Sequence, residues 1–325
     1  MRNKLANTVA LVYEELLNRG VVAEIVSTRP SLIKYEIDGR VHYLHSVVSD
    51  NESAVAYVVA QNKWLTSMVC DDLGVPHPTS LTVKDYSVEA VEFLREHKNI
   101  AVKPLSGAHG NGITLSIDSR DALKSAISVA KEYDSRILLQ EMVGGDDIRL
   151  VFVGGIFAAA ICRTPAQVVG DGRHTLRELI GIENMSPDRG GDVFADTHRK
   201  KIPISHATSY LGHRYETEVP GAGQEVRVVG PANLGTGGWA RDVTDEAPSC
   251  LIRDAKKIVD TLQFSVCAVD FLYSSPDDYC LIEINSAPGL NIHDDGRFGP
   301  PRGVVALYVD NLLLRGTPID NSFVK

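Results

Sequence analysis

Apolar residues at Leu5, Val9, Val12 and Leu16 recur at three- and four-residue spacing and predict an opening helix over about 4–19. The pattern then changes to short strand-like runs near 22–25, 32–37 and 41–45, with Asp38-Gly39 as a hairpin turn between two of them. A helix from about Lys63 stops at Gly74, and Val75-Pro76-His77-Pro78 reads as extended chain. Next come a helix near 88–96, a strand at 100–104, a Gly-rich loop from Ser106 to Gly112 and a strand at 113–117. A helix capped by Ser119 and a strand at 136–141 complete what reads as a compact β-α-β lobe over about 76–143. Strands at 148–153 and 156–162 hinge at Gly154-Gly155, and the polar, Gly-rich stretch 186–241 predicts few strong elements. A helix near 247–262, two apolar strands at 265–273 and 279–284 and a helix over about 303–314 close the chain. The class is α+β, and the uneven order of strands and helices argues against a regular Rossmann sheet.

Composition narrows the function classes. The 325 residues are 44% hydrophobic and 23% charged, which fits a folded protein rather than a disordered one. Against 33 Lys and Arg stand 42 Asp and Glu, and this acidic balance disfavours broad nucleic-acid binding. Five scattered cysteines without CxxC spacing predict reduced thiols, not a zinc site or a disulfide framework. Glu14 and Glu15 interrupt the apolar stretch behind Arg2 and Lys4, so it reads as helix rather than leader. Every apolar run falls short of the roughly 18 residues of a membrane span. The expectation is a cytoplasmic protein without targeting segment, nucleic-acid partner or membrane partner, with a homodimer left open.

The sharpest chemical signal lies in Leu281-Ile282-Glu283-Ile284-Asn285. Period two places Glu283 and Asn285 on one strand face, and Asp270 interrupts the apolar run Ala268-Val269-Asp270-Phe271. If the two strands pair, three hard oxygen ligands converge, a set suited to Mg²⁺ and the phosphates it carries. The alternative is a solvated sheet face, disfavoured because acids within apolar strands are costly without a partner. A second signal is Lys103 at a strand end before Ser106-Gly107-Ala108-His109-Gly110-Asn111-Gly112, whose glycines let backbone N–H groups approach an anion. It is not a Walker A loop, since the glycines lead into a strand; an ordinary surface turn is the competing reading. A third is Gln140-Glu141-Met142-Val143, a strand running into a hinge whose unpaired N–H and C=O groups suit an adenine edge, with Asp147 placed for ribose hydroxyls.

Together these pieces resemble, in order and spacing, the ATP-grasp superfamily of carboxylate–amine ligases, and in particular the modules of cyanophycin synthetase and bifunctional glutathione synthetase. The likeness extends through Asn62-Lys63-Trp64-Leu65-Thr66, Val168–Thr175, Ser186–Gly190 and Asn233–Gly238, covering about residues 55–315. It implies an ATP-grasp fold of two α+β lobes clamping ATP. Residues 61–325 would form that domain (small lobe about 76–143, large lobe about 144–325), and 1–60 a small N-terminal cap. The flanking domains of those enzymes are not in this sequence, so a stand-alone module is expected.

The resemblance also implies roles. Lys63, Lys103, Ser106, Gly107, Gly110 and Gly112 would contact ATP phosphates; Gln140, Glu141, Met142 and Val143 the adenine; and Asp147 the ribose. Arg149 and Arg163 would point at phosphates or the acceptor carboxylate. Asp270, Glu283 and Asn285 would hold two Mg²⁺ ions, with Mn²⁺ as an alternative. Asn233, Thr236 and Gly237 would line the substrate side. The related modules carry Arg at the position of Val229 and Asn at that of Pro231; Arg227, two residues earlier and so expected on the same strand face, is the candidate substitute. His109, His174 and His206 are read as solvated or structural, and Trp64 and Trp239 as packing.

The implied activity is ADP-forming ligation of a carboxylate to an amine through an acylphosphate, with amino acids or peptides as substrates. Two alternatives stay open: addition of amino acids to a protein or peptide tail, and a nucleotide-binding regulatory module without turnover.

Overall fold

The computed structural model describes residues 5–106, 112–190, 199–230 and 232–314. By internal contacts the chain divides into one unit of residues 1–77, 148–161 and 242–325 and a second of residues 78–147 and 162–241. This groups the N-terminal segment with the end of the chain rather than setting it apart.

In the first unit, helix Asn7–Asn18 buries Val9, Val12 and Leu16, the stripe its spacing predicts. Strands Ala23–Thr28, Ser31–Ile37, Arg40–His45 and Val48–Ser49 form an antiparallel sheet in chain order. Asp38 and Gly39 both take positive φ, 48° and 72°, as a two-residue hairpin turn requires. Ile33, Tyr35 and Leu44 from this sheet share one core with Val151, Val153, Val266, Ala268 and the closing helix Val304–Leu313. The "cap" therefore has no core of its own. Four successive strands of the unit's larger sheet lie in the order Ile156–Thr164, Asp146–Val153, Val266–Ser275, Asp278–Asn285. The last two form the antiparallel hairpin that the apolar runs suggested. Helix Lys63–Leu73 starts where the Asn62 side chain accepts the N–H groups of Trp64 and Leu65, and ends at Gly74 in the left-handed conformation.

The second unit corrects the sequence reading twice. Its four-stranded sheet runs Ser80–Val83, Ile137–Glu141, Ile100–Pro104, Thr114–Ile117, and every neighbouring pair is antiparallel. The expected β-α-β succession is present as Thr114–Ile117, Arg120–Lys131 and Ile137–Glu141, but the edge strand Ser80–Val83 was not expected. Helices Val88–His97 and Arg120–Lys131 cover one core of Phe93, Leu94, Leu123, Ile127, Ile137 and Leu139. Residues within 186–241, expected to hold few strong elements, supply helix Ile204–Leu211 and strand Glu225–Arg227. Val226, Val228, Val229, Ile202 and Leu211 pack there on helix Leu176–Asn184, which a Thr175/Glu178 capping box begins. Its apolar residues are spread over elements too short to show a period.

Candidate active-site residues

The first unit assembles a cluster of charge on the hairpin. Asp270 lies directly across from Glu283 in register, and Asn285 is two residues further along the same strand. Asp270 is 1% exposed, whereas Glu283 is half-buried. Arg149, from the neighbouring strand, donates Nε and Nη2 to the two carboxylate oxygens of Asp270, each at 2.7 Å. Asn285 Nδ2 donates to Asp270 Oδ2 at 3.3 Å, and Lys63 Nζ stands 3.9 Å from Glu283 Oε1. Two carboxylates directly opposed on a sheet repel unless cations sit with them, and here Arg149 and Lys63 do so. The structure thus brings together five residues named from sequence: Lys63, Arg149, Asp270, Glu283 and Asn285. Among the described residues no three His, Cys, Asp or Glu side chains form a metal-holding group. The set is two acids and a carboxamide, a hard-oxygen donor set that fits Mg²⁺ and that Arg149 now engages through Asp270.

The second unit holds the residues named for the nucleotide other than Lys63. Lys103 Nζ donates to Gln140 Oε1 at 2.6 Å, and Gln140 Nε2 donates to Ser80 Oγ at 3.2 Å. Gln140 is buried, and the pairing of Ala101 with Gln140 puts Lys103 diagonally beside it. Asp147 and Arg163 form an ion pair, Nε to Oδ1 at 2.8 Å, with both side chains mostly buried. Gly107 and Gly110, with His109, lie outside the described residues, as does Pro231. The two ends of that loop are fixed. Asp134 accepts the Ser106 N–H at 2.9 Å; burial opposes ionisation, yet the N–H groups of Arg136 and Ser106 hold its carboxyl below the usual range. Gly112 takes φ +70°, and a Cβ there would lie 2.6 Å from Tyr133 Cδ2 and 2.8 Å from Pro104 Cγ.

Two expectations change, for the hinge and for Arg227. The hinge was read as offering unpaired N–H groups, but Glu141 N donates to Thr79 O at 3.0 Å and Met142 N to Asn99 O at 3.2 Å. The Glu141 carboxylate also accepts the Thr79 N–H at 2.7 Å and lies 3.3 Å from His97 Nδ1. Arg227 does not share a face with Val229: the strand ends at Arg227, and Val228 and Val229 are both fully buried while Arg227 is exposed. Its Nε donates to Val229 O at 3.0 Å and its guanidinium lies 5.9 Å from the Tyr210 ring centre. Asn233, Thr236 and Gly237 knit a turn, with Asn233 Oδ1 accepting the Gly235 N–H at 2.8 Å and Asn233 O accepting the Thr236 hydroxyl at 3.0 Å. Gly237 has φ +88°, and its carbonyl accepts Arg189 Nη1 at 2.9 Å. Arg189 was not singled out from sequence, although it is buried and also binds Glu183 at 2.8 Å and Lys200 O at 2.7 Å. It lay within the Ser186–Gly190 stretch of the family likeness, but a polar run without periodicity gave no sign of its burial.

Residues 72–179 match the family model described as prokaryotic glutathione synthetase, ATP-grasp domain. A bifunctional glutathione synthetase from Pasteurella multocida superposes with TM-score 0.62 at 23% identity, covering 96% of this chain and 44% of that one. The fold is ATP-grasp. A D-alanine–D-alanine ligase from Bacillus anthracis shares it, with TM-score 0.50, 13% identity and coverage of 81% and 71%. In sequence this ATP-grasp chain is 31% identical over 283 residues to a cyanophycin synthetase of Trichormus variabilis, 83% of this chain and 31% of that protein. It is 24% identical over 293 residues to the bifunctional glutathione biosynthesis protein of Listeria welshimeri, 87% and 38%. The chain thus spans about a third of the length of these curated relatives. Among the described residues no helix is long and apolar enough to cross a membrane.

Proposed function

We propose that this ATP-grasp chain is an ADP-forming ligase that joins a carboxylate to an amine through an acylphosphate, with amino acids or peptides as substrates. The observation that carries the reading is the opposed pair Asp270 and Glu283, with Asn285 beside them and Arg149 and Lys63 as counter-cations. Such a group has the composition needed to manage a triphosphate. The names of three of the relatives, two synthetases and a ligase, support the same chemistry.

Roles are assigned residue by residue. Lys103 and Lys63 bind ATP phosphates, Gln140 and, with the Glu141 and Met142 N–H groups already committed, the Val143 backbone the adenine, and Asp147 the ribose, on exchange of its present contact with Arg163. Asp270, Glu283 and Asn285 hold Mg²⁺, two ions in our reading with Mn²⁺ as a substitute; when bound, the metal neutralises phosphate charge. Arg149 then faces the transferring group, where a guanidinium stabilises developing charge. The amine attacks the activated acyl group and phosphate leaves, so no covalent side-chain nucleophile is needed. Positioning and neutralisation are the protein's contribution. We place the protein in the cytoplasm, a reading supported by five free cysteines, four of them buried.

The test is ADP release against a matrix of amino acids and dipeptides, with product masses determined and hydroxylamine used to trap the acylphosphate as hydroxamate. ADP release that depends on both an acid and an amine, with a product lighter than their sum by one water, is expected. Absence of ADP release and of hydroxamate across the matrix would overturn the reading.

A further inference from the structure

The second unit carries a surface cavity of about 550 Å³, lined by Tyr86, Val88, Val91, Glu92, Arg95 and Arg120, to which the ligase reading gives no role. Its volume falls within the roughly 300–1,000 Å³ of small-molecule pockets. Positions 88, 91, 92 and 95 share one face of helix Val88–His97, and that face looks outward, because the helix buries Ala90, Phe93 and Leu94 on its other side. Arg120, the first residue of helix Arg120–Lys131, completes the lining. Val88 is 71% exposed, and Tyr86, Glu92, Arg95 and Arg120 are exposed as well, so solvent reaches the cavity. Val102 and Leu139 point into the core beneath the two helices, so Lys103 and Gln140, their chain neighbours, lie on the opposite face of the sheet. The cavity is therefore a place apart from those nucleotide residues.

Among the described residues the side chains of Glu92, Arg95 and Arg120 make no hydrogen bond or ion pair. Glu92 and Arg95 stand three positions apart on the helix, the spacing at which opposite charges can join, yet they do not. Other acids nearby in sequence do not answer the two arginines from within the cavity. Asp85 is held by Lys131 Nζ at 2.6 Å, and Glu89, Glu96, Asp118 and Asp121 do not line it. The walls thus offer two guanidinium groups, one carboxylate and an apolar surface of Val88, Val91 and the Tyr86 ring. A phosphate dianion would be repelled by Glu92, and a simple carboxylate would leave Glu92 unanswered. A zwitterion with an apolar side chain matches all three features. We propose that the cavity binds a free apolar α-amino acid, its carboxylate on Arg95 and Arg120, its ammonium on Glu92, and its side chain on Val88, Val91 and Tyr86. Guanidinium forks suit a carboxylate, and charge-assisted hydrogen bonds are the strong ones. The site needs neither nucleotide nor turnover, so it stands or falls separately from the ligase reading.

The test titrates the full chain, without nucleotide, with L-phenylalanine and with L-leucine, and follows the methyl NMR signals of labelled Val88 and Val91, which report on this cavity. Saturable shifts below about 10 mM are expected. N-acetyl-L-phenylalanine lacks the ammonium, L-phenylalaninamide the carboxylate and L-serine the apolar side chain. Each should bind at least about tenfold more weakly than L-phenylalanine. Arg95→Gln, Arg120→Gln and Glu92→Gln should each weaken L-phenylalanine at least about tenfold. All three side chains are exposed, so these variants should melt within about a degree or two of wild type. Glu92→Gln should also bind N-acetyl-L-phenylalanine within about twofold of wild type, since that ligand has no ammonium to lose. Absence of saturable shifts, unchanged affinity in the variants, or an amide or L-serine that binds as tightly as L-phenylalanine would overturn the proposal. Equal or tighter binding of the acetylated form would overturn it in favour of a peptide carboxy terminus.

Discussion

Replacing Arg149 by Met tests the charge cluster directly. Asp270 is almost wholly inaccessible, the Arg149 side chain is 17% exposed, and two parallel 2.7 Å bonds join them. Met keeps much of the aliphatic volume while removing the charge. Taking one partner from a buried ion pair leaves an uncompensated charge and costs about 3–5 kcal/mol. Asp270→Asn removes the other charge and is expected to cost a similar amount. The double variant should cost far less than the sum of the two, so the cycle should yield a coupling of at least about 2 kcal/mol. Urea unfolding of all four proteins measures this. Millimolar Mg²⁺ adds a second axis. With Arg149 gone, Asp270 is released to the metal, and Mg²⁺ at a hundred times its dissociation constant should restore about 2.7 kcal/mol to Arg149→Met. Asp270→Asn should gain much less. A single-variant cost below about 1 kcal/mol, additive losses, or equal Mg²⁺ effects on Arg149→Met and Asp270→Asn would refute the reasoning.

Glu283→Ala should abolish ADP release while changing the melting temperature by only a degree or two, because its side chain is 39% exposed; full turnover in that variant removes the metal assignment. Gly112→Ala should destabilise by about 1–3 kcal/mol, combining a left-handed φ with overlap on Tyr133 and Pro104, as read by thermal unfolding. Glu52, whose carboxylate accepts the Ser265 and Val266 N–H groups at 3.2 and 3.4 Å, is pushed up to about 7, chiefly by burial. The folded state then binds more protons than the unfolded one between about pH 4.5 and 7, so stability falls as pH rises through that window. Urea unfolding at pH 5 and pH 8 should show that loss in wild type and a smaller one in Glu52→Gln; equal slopes would count against it.

Much of the architecture is legible in short windows of the chain. The Val9, Val12 and Leu16 stripe, the Asp38-Gly39 turn, the Asn62 cap and Gly74 stop are local decisions, made by sterics and hydrogen bonds within a few residues. Alternation likewise put Glu283 and Asn285 on one face, and acids in apolar strands drew attention to Asp270. What tertiary structure alone decided is who partners whom across long separations. Arg149 reaches Asp270 over 121 positions, and Asp147 and Arg163 meet because adjoining strands bring them side by side. The commitment of Glu141 and Met142 N–H groups to Thr79 and Asn99 was equally invisible, as was the burial of Val229 that turns it away from the face of Arg227. The antiparallel order of the second unit's sheet, and the core built from residues within 186–241, belong to the same class. A side chain's period follows from its neighbours in the chain, whereas its partner is chosen by packing, since burying a charge or an N–H group is tolerable only where another element supplies the complement.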